Sequence, residues 1–114
     1  MSDSPWPSEW LRGVLSLCVL GVLSDGPTYG YAISQRLAAA GLGAVKGGTL
    51  YPLLTRLEQD GFVEASWQAG DGGPGRKYFT LTPAGRSELA GRARLWDQFT
   101  DATRTLVAAR SEDR

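Results

Sequence analysis

The chain has 114 residues, enough for one domain, and its 42% hydrophobic and 21% charged content is ordinary globular usage. Twelve basic groups cancel twelve acidic ones, and histidine is absent, which removes the usual general base and the commonest metal ligand together. One cysteine, Cys18, rules out an internal disulfide or a thiolate metal cluster and fits a reducing, cytoplasmic setting.

Residues 1–7 (MSDSPWP) are polar and broken by prolines, as expected of a flexible N-terminal arm. They lack the basic stretch and small-residue cleavage site of a signal peptide. Ser8 is placed to cap a first helix over 8–24, apolar on almost every side and closed by Asp25-Gly26-Pro27. A helix apolar all round is buried all round, so in a chain this short part of it is expected to meet another subunit. Its apolar run is too short to cross a bilayer, and no membrane partner is expected.

Thr28 is expected to cap a second helix over 28–40, with Ile33, Leu37 and Ala40 inward at helical spacing. Gly41–Gly48 is a glycine-punctuated connection. A third helix begins at Gly48 or Thr49 and runs to Asp60, with Gly61 as its left-handed terminator and Pro52 within its first turn. Leu50, Leu54 and Leu57, helped by Leu53, face inward. Alternation then predicts a strand over 62–68, with Val63, Ala65 and Trp67 on one face. A second strand over 76–82 places Phe79 and Leu81 together, opposite Arg76, Tyr78 and Thr80. Residues 69–75 are too glycine-rich for regular structure, which predicts a hairpin with a mobile tip.

Thr82-Pro83 opens a last helix over 83–110, leaving 111–114 as a disordered tail. Leu89, Ala93, Trp96, Phe99, Thr103 and Leu106 approximate a seven-residue repeat along it. Nothing earlier in the chain can cover that stripe, so a homodimer is expected. The predicted class is mainly α with a small β-hairpin: a winged helix-turn-helix over 8–82 plus a long C-terminal dimerisation helix. The dimer interface is expected at Leu11, Leu15, Cys18, Leu89, Trp96, Phe99, Thr103 and Leu106.

Charge is distributed unevenly. Residues 1–28 set Arg12 against three acids, whereas residues 29–110 set ten basic groups against seven acidic. That mild bias permits a local phosphate-binding face. The leucine-free side of the third helix offers Thr49, Tyr51, Pro52, Thr55 and Arg56, with Lys46 just upstream. Internal packing for Tyr51, and for Arg56 a solvated charge or a pair with Asp60, are the plain alternatives. In the hairpin, Gly73 lets backbone approach phosphates, and Arg76 and Lys77 supply charge, although adjacent strand residues point to opposite faces. Gly70, Gly72, Gly73 and Gly75 lack the Gly-Lys-Ser/Thr of a nucleotide-binding loop. Glu58, Asp60 and Glu64 have no base or metal partner, so no catalytic residue, metal or cofactor is expected. Cys18, mid-helix among apolar residues, is expected to be inert.

Three stretches carry a family resemblance. Asp25-Gly26-Pro27-Thr28-Tyr29-Gly30-Tyr31 looks like a GP-x-YGY element. Residues 48–61 (GTLYPLLTRLEQDG) resemble a GTLYPLLxRLExDG signature, and residues 73–85 (GPGRKYFTLTPAG) resemble a GPxRKYYxLTxxG wing. With Leu11-Arg12-Gly13 the match spans roughly 10–100. It is similar to the PadR family of bacterial transcriptional regulators, and the single last helix resembles that family's short subgroup.

The resemblance implies a repressor that binds a pseudo-palindromic double-stranded DNA operator, with half-sites about one helical turn apart. It implies that Tyr29 reaches the DNA backbone, while Tyr31 is read equally well as packing. It also implies a central pocket for a flat aromatic effector, lined by Trp10, Gly13, Val14, Leu17, Trp96, Phe99 and Thr100. Trp96 matches the family's drug-stacking tryptophan, but Thr100 stands where drug-binding relatives have an acid, which puts cation preference in doubt. Aromatic filling of the dimer core is the plain alternative for Trp10, Trp96 and Phe99. For the whole chain, the rival reading is a winged-helix protein-interaction module without specific DNA binding.

Overall fold

The computed structural model describes residues 4–70 and 73–112. Helix α1 spans Ser8–Leu23, and Pro7 occupies the capping position without a side-chain bond. Ser8 is therefore the first helical residue and not the cap. The Pro7 carbonyl starts the helix by accepting the Trp10 and Leu11 N–H groups at 3.0 and 3.3 Å. Ahead of it, the Trp6 indole N–H donates to the Gly41 carbonyl at 2.8 Å, which ties Trp6 of the expected free arm to the turn after the second helix. Residues 1–3 lie outside the described residues.

Burial along α1 is not uniform within the protomer. Leu15, Val19, Leu20, Val22 and Leu23 are in the core, while Trp10 is 61% exposed and Arg12 and Gly13 are also open. Only the C-terminal half of the helix is covered by its own protomer.

Thr28 does not cap a helix. Thr28–Tyr29 form strand β1, paired with the later strand β3 (Gly73–Leu81), Thr28 opposite Phe79 and Tyr29 opposite Tyr78. Two residues are too few to show a period-two signal, and their partner lies fifty residues away. Helix α2 accordingly starts at Gly30 and runs to Leu37, burying Ile33 and Leu37. Beyond it the backbone widens into a π turn over Ala38–Leu42. That turn carries Ala40 off the α-helical phase, so Ala40 is exposed and not in the core.

Helix α3 spans Gly47–Gln59, one residue ahead of the expected start. The Lys46 carbonyl accepts from Thr49 and Leu50 at 3.0 and 2.9 Å. Pro52 is thus the sixth helical residue, in the second turn, and leaves the exposed Gly48 carbonyl without its helical donor. At the other end Gly61 has φ 82°, Phe62 N–H reaches the Leu57 carbonyl at 2.9 Å, and Gly61 N–H reaches Glu58 at 3.0 Å. This Schellman arrangement turns the chain from α3 into the sheet.

Strand β2 (Val63–Gly70) and β3 form an antiparallel ladder, and the sheet order is β1-β3-β2. Pairing continues past the expected strand ends to Gly70 opposite Gly73, with an irregularity between Gln68 and Gly70. The expected 69–75 loop is thus mostly strand, and Asp71-Gly72 lie outside the described residues. Glycine does not prevent pairing here but permits it, since a Cβ on Gly75 would stand 2.9 Å from the Gln68 carbonyl oxygen. The hairpin outruns the core, so Trp67 shares the face of Val63 and Ala65 yet is 73% exposed.

The core is one cluster: the α1 C-terminal half, Ile33, Leu37, Leu50, Leu54, Leu57, Val63, Phe79 and Leu81. Helix α4 covers Pro83–Glu112, so residues 111–112 of the expected tail are helical and 113–114 lie outside the described residues. Thr82 caps α4 as expected, accepting the Gly85 N–H at 3.0 Å, while its own hydroxyl donates to the Gly61 carbonyl at 2.6 Å. Leu89 packs on the core, and Arg92 bridges Glu88 at 2.6 Å and Ser16 Oγ of α1 at 3.0 Å. Among the described residues no helix is long and apolar enough to cross a membrane.

Because Thr82 joins two element ends, Thr82→Ala is expected to lower the unfolding free energy by about 1–2 kcal/mol in urea titration.

Candidate nucleic-acid interface

Helix α3 turns Leu50, Leu54 and Leu57 inward, and its period then points Thr49, Tyr51, Pro52, Thr55 and Arg56 outward. All five are exposed, as is Lys46 at the helix start. Thr55 spends its hydroxyl proton on the Tyr51 carbonyl at 3.0 Å, leaving oxygen lone pairs free to accept. The Arg56–Asp60 pair does not form: among the described residues Arg56 has no carboxylate within 4.0 Å, so its guanidinium is uncommitted. Tyr51 is 50% exposed, with the rest of its ring against Gly30 at the start of α2.

The wing cations separate as strand geometry requires. Arg76 lies on the outer face of β3, its guanidinium 4.5 Å above the centre of the Tyr29 ring. Tyr29 in turn packs on Tyr78, ring centres 5.4 Å apart. Tyr29 is half-buried in this stack and serves as the platform that holds Arg76, a role the strand pairing creates. Lys77 lies on the opposite face, half-buried, with Nζ 3.9 Å from Glu58 and 5.7 Å from the Phe79 ring centre. Arg76 is therefore the freer charge of the two, and Gly73 lies exposed in the same strand. Tyr31, also read as packing, is 65% exposed beside the α2–α3 groove.

At the other end of the molecule, Trp96 and Phe99 of α4 stand with ring centres 5.9 Å apart, 39% and 63% exposed. Leu106 continues their stripe, and Leu95 and Val107, which a strict heptad passed over, widen it. Thr100 directs its hydroxyl to the Trp96 carbonyl at 2.9 Å, and Thr103 directs its own to Phe99. On α1, Trp10 and Gly13 are open and Leu11, Val14 and Leu17 are half-buried. Leu15 is a correction: at 4% exposure it belongs to its own protomer's core and presents no surface to a partner. Cys18 and Leu89 also pack on that core, although both remain partly accessible.

Burial pushes the Cys18 thiol above its ordinary range. No group of acids and cysteine among the described residues is arranged to hold a metal ion.

A three-helix unit carrying an exposed polar helix face beside a cation-bearing hairpin is the winged-helix design for holding duplex DNA. The profile of the PadR-like family of transcriptional regulators matches residues 19–91, and the chain belongs to that family, one of regulators and not of enzymes. It is 37% identical over 81 residues to the transcriptional regulator Rv3488 of Mycobacterium tuberculosis, covering 71% of this chain and 74% of that protein. Among solved structures, a PadR family regulator from Eggerthella lenta superposes with TM-score 0.79 at 35% identity, over 87% of this chain and 86% of the other. A PadR-like regulator from Bacillus cereus gives 0.78 at 32% identity, over 87% and 96% of the two chains.

With its thiol held protonated, Cys18 is expected to react with iodoacetamide at pH 8 several-fold more slowly in the folded protein than in urea, as followed by mass spectrometry. Equal rates would mean an open, ordinary thiol.

Proposed function

We propose that the chain is a cytoplasmic homodimeric repressor of the short PadR type. It reads a pseudo-palindromic operator with α3 and presses its wing on the adjoining backbone. Arg76 carries this reading: it lies on the same β3 strand as the core residue Phe79, is stacked on Tyr29, and has no competing carboxylate within 4.0 Å among the described residues. A guanidinium held in place by an aromatic face loses less freedom on meeting a phosphate than a free one does. Thr49, Tyr51, Pro52, Thr55 and Arg56 supply the groove-facing contacts, and Lys46, Lys77 and Gly73 adjoin phosphates.

Dimerisation is supported by the uncovered apolar stripe of α4 and by the open N-terminal half of α1. Water-exposed Leu95, Phe99, Leu106 and Val107 at 61–72% are poor solvation for a free monomer. Two such surfaces clasped together bury both and hold two α3 helices at a set distance. A flat aromatic effector fits between paired copies of Trp96 and Trp10 and acts by binding one separation of the wings better than the other.

The test is fluorescence anisotropy with duplexes from the chromosomal region around its own gene, alongside sedimentation. Binding is expected to weaken steeply with salt, and Arg76→Ala to reduce the log–log salt slope by about one while the dimer persists. Salt-independent binding, or a monomer both free and on DNA, would refute the reading. For the effector, Trp96→Ala is expected to abolish tryptophan quenching by planar dyes at the interface. Unchanged quenching sinks that part alone.

A further inference from the structure

Where α2 meets α3, both helices begin on glycine, and one aromatic ring occupies the space between the two starts. A Cβ built on Gly30 would stand 2.7 Å from Cζ and 2.9 Å from Cε1 of Tyr51, and nearer still to the phenolic oxygen. On the other edge of the same ring, a Cβ on Gly47 would stand 3.3 Å from Cδ2 and 3.4 Å from Cε2. Gly30 is buried, and its φ is not in the left-handed region. The backbone there therefore does not require glycine, but the ring does.

The walls of this slot are tied to each other. Ser34 of α2 donates its hydroxyl to the Val45 carbonyl at 2.7 Å, two residues before Gly47. The ring is thus flanked on two edges by elements joined through that bond, while half its surface stays open to solvent. A tyrosine on an exposed helix face ordinarily samples several staggered rotamers. Close packing on two edges narrows that choice for Tyr51 before any ligand arrives.

We propose that Gly30 is a positioning residue for DNA recognition, acting through Tyr51, and that Gly47 is its weaker counterpart. The inference rests on the reading of α3 as the helix that meets the duplex. Filling the slot at Gly30 pushes the ring outward across the surface that approaches the groove. The clash falls on the far end of a side chain and not on backbone, so the domain can fold around it. The cost appears in DNA affinity because the ring must be reordered, or sits in the way, at each encounter.

The experiment uses the full chain and a 30-base-pair duplex enriched by the unmodified protein from a random-sequence library. Tyrosines are labelled as 3-fluorotyrosine, and the Tyr51 fluorine signal is assigned by its loss in Tyr51→Phe. Gly30→Ala is expected to shift that signal in the free protein. It should weaken DNA binding about tenfold, close to the effect of Tyr51→Ala, while the double variant loses no more than either single one. Thermal unfolding stays cooperative. Gly47→Ala, which also improves helix propensity, is expected to cost affinity about threefold without lowering the melting temperature.

If Gly30→Ala binds within twofold of the parent while Tyr51→Ala does not, the positioning role is overturned and the recognition surface stands. If Tyr51→Ala itself binds like the parent, Tyr51 leaves the contact set and both readings of it fall. Should Gly30→Ala not fold, Gly47→Ala decides by the same fluorine shift and affinity criteria.

Discussion

The structure depends most on strand β3, which is paired on both edges and carries Phe79 at 2% exposure into the core. Burial of that ring contributes roughly 1.5–3 kcal/mol, but its larger effect is geometric. Phe79 lies opposite Thr28 on one side and Ala65 on the other, so a single side chain sets the register of the turn before α2 and of the whole wing. A slip by one residue would send Phe79 outward and bring Tyr78 in, separating Tyr78 from Tyr29. The Tyr29–Tyr78–Arg76 stack is therefore a consequence of core packing and not a separate feature.

The same constraint explains how a chain of zero net charge can present a basic feature. Lys77 and Arg76 are neighbours in sequence, yet the pleat sends Lys77 toward Glu58 and Arg76 onto an aromatic face. One cation is partly neutralised, and the other is held out on the wing. Counting charges along the chain treats the pair as equivalent. The sheet distinguishes them.

A second constraint acts on the long axis. Helix α4 outlasts the domain that covers its first turns, and beyond Arg92 Leu95, Phe99, Leu106 and Val107 lie mostly open, with Trp96 partly covered. The contact that ends this coverage, Arg92 to Ser16, also marks where α1 turns from core helix to open surface. Trp10 of α1 and Trp96 and Phe99 of α4, each beyond that contact along its helix, are the exposed aromatic groups offered to the proposed subunit contact.

Much of this was legible in the chain itself. Leu50, Leu54 and Leu57 at helical spacing, closed by Gly61, define α3 and its exposed side without further information, because helical period and terminator chemistry are local. Thr82-Pro83 marks the α4 start for the same reason, and the apolar excess of 89–106 exceeds what a small domain can cover. Only the tertiary structure could decide what depends on residues distant in sequence. It made Thr28–Tyr29 a strand, seated Arg76 on the Tyr29 ring, placed Leu15 in its own core, extended the wing through its glycines and set Tyr51 between Gly30 and Gly47. Each follows from long-range pairing or close approach, which no local propensity encodes, since the energy belongs to the contact and not to either residue alone.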